Sequence, residues 1–192
     1  IDFAKYAFNK SHAAAYAVVS YQTAWLKYYF PVEYMAALMT SVIDNPSKVS
    51  EYIYACRQMN IKILPPDINK GEANFSVDSG DIRYGLAAIK SIGRPVIKAI
   101  VEDREELGLF QNLEDFITRL SAKNVLNKRT IENLIKAGAL DTLGGTRKQF
   151  MSIYVQIVDH VTQEKKNSMV GQMTLFDLVS EDQKEEFQIR MP

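Results

Sequence analysis

The 192-residue chain has one cysteine, one tryptophan and two histidines. A single thiol, Cys56, excludes an internal disulfide and points to a reducing compartment, the cytoplasm. It also excludes the Cys and His clusters that hold structural zinc. No apolar run approaches the roughly 20 residues a helix needs to cross a bilayer, so no membrane contact is predicted. No secretory leader is present in the sequence. Asp and Glu are scattered, and no compact set of carboxylates offers a site for Mg²⁺. The two histidines, His12 and His160, lie far apart, and His160 falls on the polar side of the last helix. Formal net charge is zero, so bulk charge identifies no polyanionic partner. The opening "IDFAKYAF" has neither an initiating Met nor the start of a fold, which predicts a piece of a longer protein.

What is present is unevenly spread. Residues 82–148 carry twelve basic and eight acidic residues, whereas 159–192 carry four and seven. Twelve of the 20 aromatics fall in the first 60 residues. That stretch reads as three helices with large aromatic faces, expected to form a compact unit. "SHAAAYAVVSYQTAWLKYYF" is alanine-rich with Ser11 as its cap candidate. Pro31 and Pro46 open the next two, because the missing N–H of proline is harmless at a first helical position. "NFSVDSGDIRYGL" alternates on both sides of Asp78–Asp81, a hairpin signal. Helices follow after Pro95, after the cap candidate Asn112, and in "NKRTIENLIKAGAL", stopped by Gly138. A last long helix begins near Thr146. The fold class is mainly α with a small β-hairpin element, α+β.

Three stretches carry candidate chemistry. "IKSIGRPVIKAI" resembles a helix-hairpin-helix, a motif that grips the DNA backbone. Its tight turn, assigned to Gly93, exposes backbone N–H groups, and the following helix adds its positive end. Together they hold a phosphate without reading sequence. Lys90, Ser91, Ile92, Gly93, Arg94 and Lys98 are the candidate contacts. Ser91 stands where the motif's first hairpin glycine is usual. Lys128 and Arg129 sit at the start of a second hairpin-like unit. The ordinary alternative for both is an αα-hairpin with solvated cations. In "FNKSHAAAY", Lys10, Ser11 and His12, with Tyr16 a turn later, open a helix where a triphosphate would be welcome. Here the ordinary alternative is a capped helix with a solvated lysine. The third stretch is "GQMTLFDL", an apolar island between polar flanks too poor in apolar surface to order themselves. It either tucks onto its own domain or meets something else.

Taken in order, "FNKSHAAAYAVVSYQTAWLKYYFPVEYMAALM", "ILPPDIN", "IRYGLAAIKSIG", "LNKRTIENLIKAGALD" and "GQMTLFDL" strongly resemble the family C replicative DNA polymerases of bacteria, the DnaE type. The resemblance covers essentially the whole chain. It implies that 1–60 are the helical part of the polymerase fingers. It implies that 61–160 are the little-finger and tandem helix-hairpin-helix region, which binds DNA. Residues 161–192 would be a flexible tail leading to an oligonucleotide-binding domain. The implied activity is template-directed DNA synthesis. Mg²⁺ would be held by palm aspartates outside the chain, so the chain alone would be inactive. Implied partners are primer-template DNA, a deoxynucleoside triphosphate near Lys10, Ser11, His12 and Tyr16, other replicase subunits and the sliding clamp. Gln172, Met173, Thr174, Leu175 and Phe176 are similar to the pentapeptide by which such proteins bind that clamp. A stand-alone DNA-binding hairpin module, or a purely clamp-recruiting segment, are the alternatives.

Overall fold

The computed structural model describes residues 10–169, with side chains to residue 165. In chain order the elements are α1 (Lys10–Tyr29), α2 (Pro31–Ser41), α3 (Pro46–Gln58), β1 (Ile63–Leu64), β2 (Ser76–Asp78) and β3 (Asp81–Arg83). They continue as α4 (Arg94–Leu107), α5 (Leu113–Ala122), α6 (Lys128–Ala137) and α7 (Arg147–Met169). The fold is mainly helical with one small sheet, strand order β1–β3–β2. The β2–β3 turn places Ser79 at φ 56° and Gly80 at φ 86°. Two successive left-handed residues match the twist of a hairpin, as the Asp-Ser-Gly-Asp stretch predicts.

The described residues divide into two compact units. One holds those up to Ile63 together with Phe75–Ile82; the other holds Leu64–Asn74 and those from Arg83 on. In the first unit, Pro31 and Pro46 open α2 and α3, and Asn45 caps α3 by accepting from the Lys48 N–H at 3.2 Å. Met35, Ala36 and Met39 on α2 and Val49 and Cys56 on α3 are buried, as are Ile43 and Phe75. Helix α1 departs from the expected compact aromatic packing: it buries no residue. Ser11 lies within the helix rather than at its cap.

The second unit contains the larger core. Ile97 and Ile100 of α4, Phe116, Ile117 and Leu120 of α5, Ile131, Leu134 and Ile135 of α6, and Phe150 and Ile157 of α7 pack together. Their three- and four-residue spacings place one apolar stripe of each helix inward. Local polar groups set the helix ends. Asn112 and Asn127 accept from the N–H groups of Asp115 and Thr130, each at 2.8 Å. Thr146 and Gln149 form a reciprocal capping box, with the Thr146 N–H donating to Gln149 Oε1 at 3.0 Å. Gly138 ends α6 at φ 82°, and a Cβ there would collide with the Arg147 guanidinium. Helix α7 runs on to Met169, past residue 161, where the polarity of the sequence suggests a tail.

Side chains then fasten the loops to this core. Arg104 Nη1 donates to the carbonyls of Ile68 at 3.0 Å and Gly71 at 2.9 Å. Asn69 exchanges two 2.9 Å hydrogen bonds with the Phe110 backbone. The "PPDIN" stretch is thereby a built part of the unit. Asp103, 1% exposed, receives Arg119 at 2.6 Å and Lys123 at 3.1 Å, joining α4 to α5. Arg119 also donates to the carbonyls of Asp103 and Gly108 and lies over the Phe110 ring.

Candidate nucleic-acid interface

The hairpin at 89–94 is pinned by its apolar residues. Ile89 and Ile92 are each 8% exposed, and Val96 and Ile97 continue the buried stripe into α4. This leaves Lys90, Ser91, Gly93 and Arg94 on the surface. Ile92, a candidate contact, has its side chain in the core, so only its backbone is available to a ligand. Its N–H lies 3.4 Å from the Ile89 carbonyl.

The turn differs from the one the sequence suggests. The left-handed residue is Ser91, at φ 64°. Gly93 is extended, at φ −74° and ψ 146°, and forms the N-cap of α4. A Cβ on Gly93 would meet only the Pro95 ring at 3.5 Å, an ordinary contact. Gly93 is thus not required by backbone strain. What its position offers is an open approach: the first bond into α4 runs from the Val96 N–H to the Gly93 carbonyl. The N–H groups of Gly93 and Arg94 precede that bond and, being at a helix start, have no intrahelical acceptor. No acid lies in the first turn of α4. The end therefore keeps its positive character, and Arg94 adds a full charge.

Lys98 stands one turn further on, 74% exposed and 3.5 Å from Glu102. Asn133 of α6 donates to the Lys90 carbonyl at 3.3 Å, which ties the hairpin to the second candidate helix. At the start of α6, Arg129 is exposed. Lys128 is engaged with Asp159 at 2.6 Å. A phosphate would have to compete with that carboxylate for Lys128 but not for Arg129. Lys148, absent from the candidate contacts, is a further exposed cation in the first turn of α7, after Gly144, which is left-handed at φ 81°. The signal was there: Gly144-Gly145 followed by the Thr146…Gln149 box marks a second helix-turn-helix junction.

The triphosphate candidates have a different setting. Lys10, Ser11, His12 and Tyr16 are exposed on the first two turns of α1. The His12 and Tyr16 rings approach with centroids 4.5 Å apart, the four-residue neighbour relation of a helix. Lys10 and His12 are two residues apart and do not share a face. Gln172, Met173, Thr174, Leu175 and Phe176 lie outside the described residues.

Among the described residues no three His, Cys, Asp or Glu side chains come together to hold a metal ion. The buried carboxylates do not suit Mg²⁺, because each already has its partners. Asp103 is held by Arg119 and Lys123. Asp67 accepts from the Asn69 N–H at 2.7 Å and from Thr142 at 3.3 Å. Cys56 is fully buried, and desolvation pushes its thiol above the ordinary range, away from nucleophilic use.

Comparison with known proteins agrees with this geometry. Residues 60–150 match the helix-hairpin-helix motif family. Over 180 residues, 93% of this chain, it is 47% identical to the DNA polymerase III subunit alpha of Vibrio cholerae. Over 181 residues, 94% of the chain, it is 46% identical to that of Escherichia coli K12. The Mycobacterium tuberculosis H37Rv subunit is 44% identical over 176 residues, 92% of the chain. The chain matches one segment of the DNA polymerase III alpha family. It spans 15–16% of the length of these relatives. The similarity extends well beyond the hairpin motif and includes the α1–α3 helices.

Proposed function

We propose that the chain serves a DNA-directed DNA polymerase of the bacterial cytoplasm as its DNA-gripping and fingers segment. The observation that carries this reading is the hairpin at 89–94. It is an anchored turn with two helix-start N–H groups, Lys90 and Arg94 outward, and no acid in the first turn of α4, in a chain that resembles a polymerase subunit along nearly its whole length. Such a grip is sequence-blind, which suits an enzyme that must slide over any template. Primer-template duplex is the ligand. The nucleotidyl transfer and its Mg²⁺ belong to parts of the polymerase outside this chain, and the chain alone extends no primer.

Two finer roles complete the proposal. Lys10 and His12, with Ser11 and Tyr16, are the contacts of the incoming nucleotide in the assembled polymerase, Lys10 and His12 reaching it from different faces of α1. "QMTLF" binds the sliding clamp, Gln172 through its amide and Leu175 and Phe176 in an apolar pocket. Residues 1–60 act as fingers, 61–160 as the DNA-binding region and 161–192 as the link to the clamp. The test of the central role is fluorescence anisotropy of labelled duplex against the chain over a range of salt. Binding whose logarithm falls linearly with log salt, alike for unrelated sequences, supports it. No binding at low salt removes the hairpin from the DNA interface.

A further inference from the structure

Helix α1 carries an apolar seam that nothing among the described residues covers. Ala14, Val18, Tyr21, Trp25 and Tyr28 follow one another at spacings of four, three, four and three, the repeat of a helix seam that meets another helix. Val18 is 56% exposed, Tyr21 70%, Trp25 42% and Tyr28 78%. The helix has 20 residues, no acid in its first turn and no buried residue, and its only Lys and Arg residues are Lys10 and Lys27. A helix meant for water carries a charged face; this one does not. Exposed apolar stripes of this kind mark surfaces that another body covers.

We infer that this seam is a docking face for an apolar helix from the remainder of the same polymerase chain. The inference rests on the family reading, since that reading supplies the occupant. The relatives are several times longer than this chain, which spans 15–16% of them, so most of the polymerase lies outside it. A partner on the same polypeptide is held at a high effective concentration that a second molecule lacks. A bilayer surface is a poor occupant, because helices that lie on it carry a Lys- and Arg-rich polar face, and α1 has only Lys10 and Lys27. Single-stranded nucleic acid fits badly too. Aromatic stacking platforms are paired with cations that follow the backbone, and α1 has no Lys or Arg between Ser11 and Leu26.

The test is hydroxyl-radical footprinting with mass spectrometry, comparing this chain with the full-length polymerase that contains it. Primer extension by the same full-length preparation is measured in parallel. Tyr21, Trp25 and Tyr28 are expected to oxidise readily in the chain alone and to be protected several-fold in the polymerase without DNA. Equal oxidation in both, with an active polymerase, overturns the docking face and leaves the family reading intact. Protection in a full-length protein that extends no primer sinks the family reading instead. Protection of the isolated chain that disappears on dilution makes the occupant a second copy and overturns the assignment. So does protection of the polymerase that requires added DNA. As a second reading, Tyr21→Glu with Tyr28→Glu leaves the melting temperature of the isolated chain unchanged but lowers that of the polymerase. An unchanged polymerase melting temperature counts against the seam.

Discussion

The guanidinium of Arg119 meets the carboxylate of Asp103 at 2.6 Å, across the junction of α4 and α5. Asp103 is 1% exposed and Arg119 14%. A buried pair of this kind tolerates the joint replacement of both partners far better than the loss of one. Asp103→Ala or Arg119→Ala should each destabilise the chain, by less than the about 3–5 kcal/mol of a fully orphaned buried charge, because Lys123 still reaches Asp103 and Asp115 still reaches Arg119. Arg119→Lys should fail to restore it: an ammonium cannot reach the Asp103 and Gly108 carbonyls in one plane or lie flat on Phe110. Replacing both, Asp103→Leu with Arg119→Met, should cost less than the two single changes added together. Urea unfolding monitored by circular dichroism reads all four. Additive losses would mean that the two residues act independently.

Ser91 and Gly93 exchange the roles that the sequence suggests for them. A non-glycine residue in the left-handed region is strained by roughly 1–2 kcal/mol. Ser91→Gly should therefore stabilise the hairpin by up to about 1 kcal/mol, less the entropy glycine adds to the unfolded chain. Gly93→Val should be milder than a turn glycine would imply, because φ −74° suits any residue and only the weak cap preference is lost. Gly93→Asp is the more informative change. It supplies a capping side chain, so stability should hold or rise, while its negative charge at the α4 N-terminus should weaken binding of a phosphate. Thermal melts beside anisotropy titrations separate the two effects. If Gly93→Asp leaves DNA affinity untouched, phosphate does not visit this helix end.

The cases that were legible in the sequence are local ones. Asn112 caps its own helix three residues on, and Pro31 and Pro46 act at the residue they occupy. Asp78–Asp81 turns on its own dihedral angles. The hairpin could be placed because the turn before Arg94 and Pro95 at the helix start are local signals, whereas Ile92, a candidate contact, has its side chain in the core. What could not be read joins residues distant in the chain. Asp103 looks like one more acid in "VEDREE", and only the approach of α5, 16 positions on, makes it a buried anion. Asn69 and Phe110 are 41 positions apart. Ser91 is illegible for a different reason: glycine is the usual left-handed residue, so the sequence points to Gly93 although Ser91 carries the positive φ. For α1, aromatic content suggested a core, but a core needs a partner surface as well as apolar side chains.

Arg94, Lys90 and Arg129 should each matter to DNA binding in proportion to the phosphate they reach. Removing one phosphate contact flattens the log–log salt dependence by about 0.9. Arg94→Ala and Lys90→Ala should do this equally on unrelated duplexes, since no base edge is involved. Arg129→Ala should act in the same direction. Lys128→Ala should act less, because Asp159 already holds that ammonium at 2.6 Å. Lys98, 3.5 Å from Glu102, is likewise partly screened. Salt titrations of the five variants rank them. A ranking led by Lys128, or no change in slope for Arg94→Ala, would move the grip away from the 89–94 hairpin.

In the full-length polymerase, Lys10→Ala should raise KM for the nucleotide, because a cation facing the triphosphate is lost. His12→Ala should act in the same direction and more weakly, since its ring also packs on Tyr16 at 4.5 Å. Tyr16→Phe keeps that packing and removes only the hydroxyl, so KM should rise if Tyr16 is a nucleotide contact, and an unchanged KM removes it from the set. Steady-state extension with varied nucleotide measures this. Wild-type KM and kcat in both Lys10→Ala and His12→Ala would return the segment to an ordinary helix start.

The apolar island at 171–178 gives the last prediction. Its flanks, "TQEKKNS" and "SEDQKEEF", offer little apolar surface, whereas Leu175 and Phe176 can fill one preformed pocket on another protein. Ordering so short a segment opposes binding, so the affinity for a sliding clamp should be modest, about micromolar, near −8 kcal/mol. Once the polymerase holds DNA, both sites sit on one template. The second contact would then be intramolecular, and a micromolar grip should suffice for processive synthesis. Gln172→Ala should weaken the interaction by removing amide hydrogen bonds. Leu175→Ala with Phe176→Ala should nearly abolish it, because the pocket then buries two methyl groups in place of an isobutyl and a benzyl. Extension of short primers without clamp should survive both changes, since neither touches the DNA grip. A peptide of residues 170–179 titrated against clamp by calorimetry, beside its double-alanine version, decides the matter. Equal binding by the two peptides, or none by either, would assign the island to the surface of its own domain.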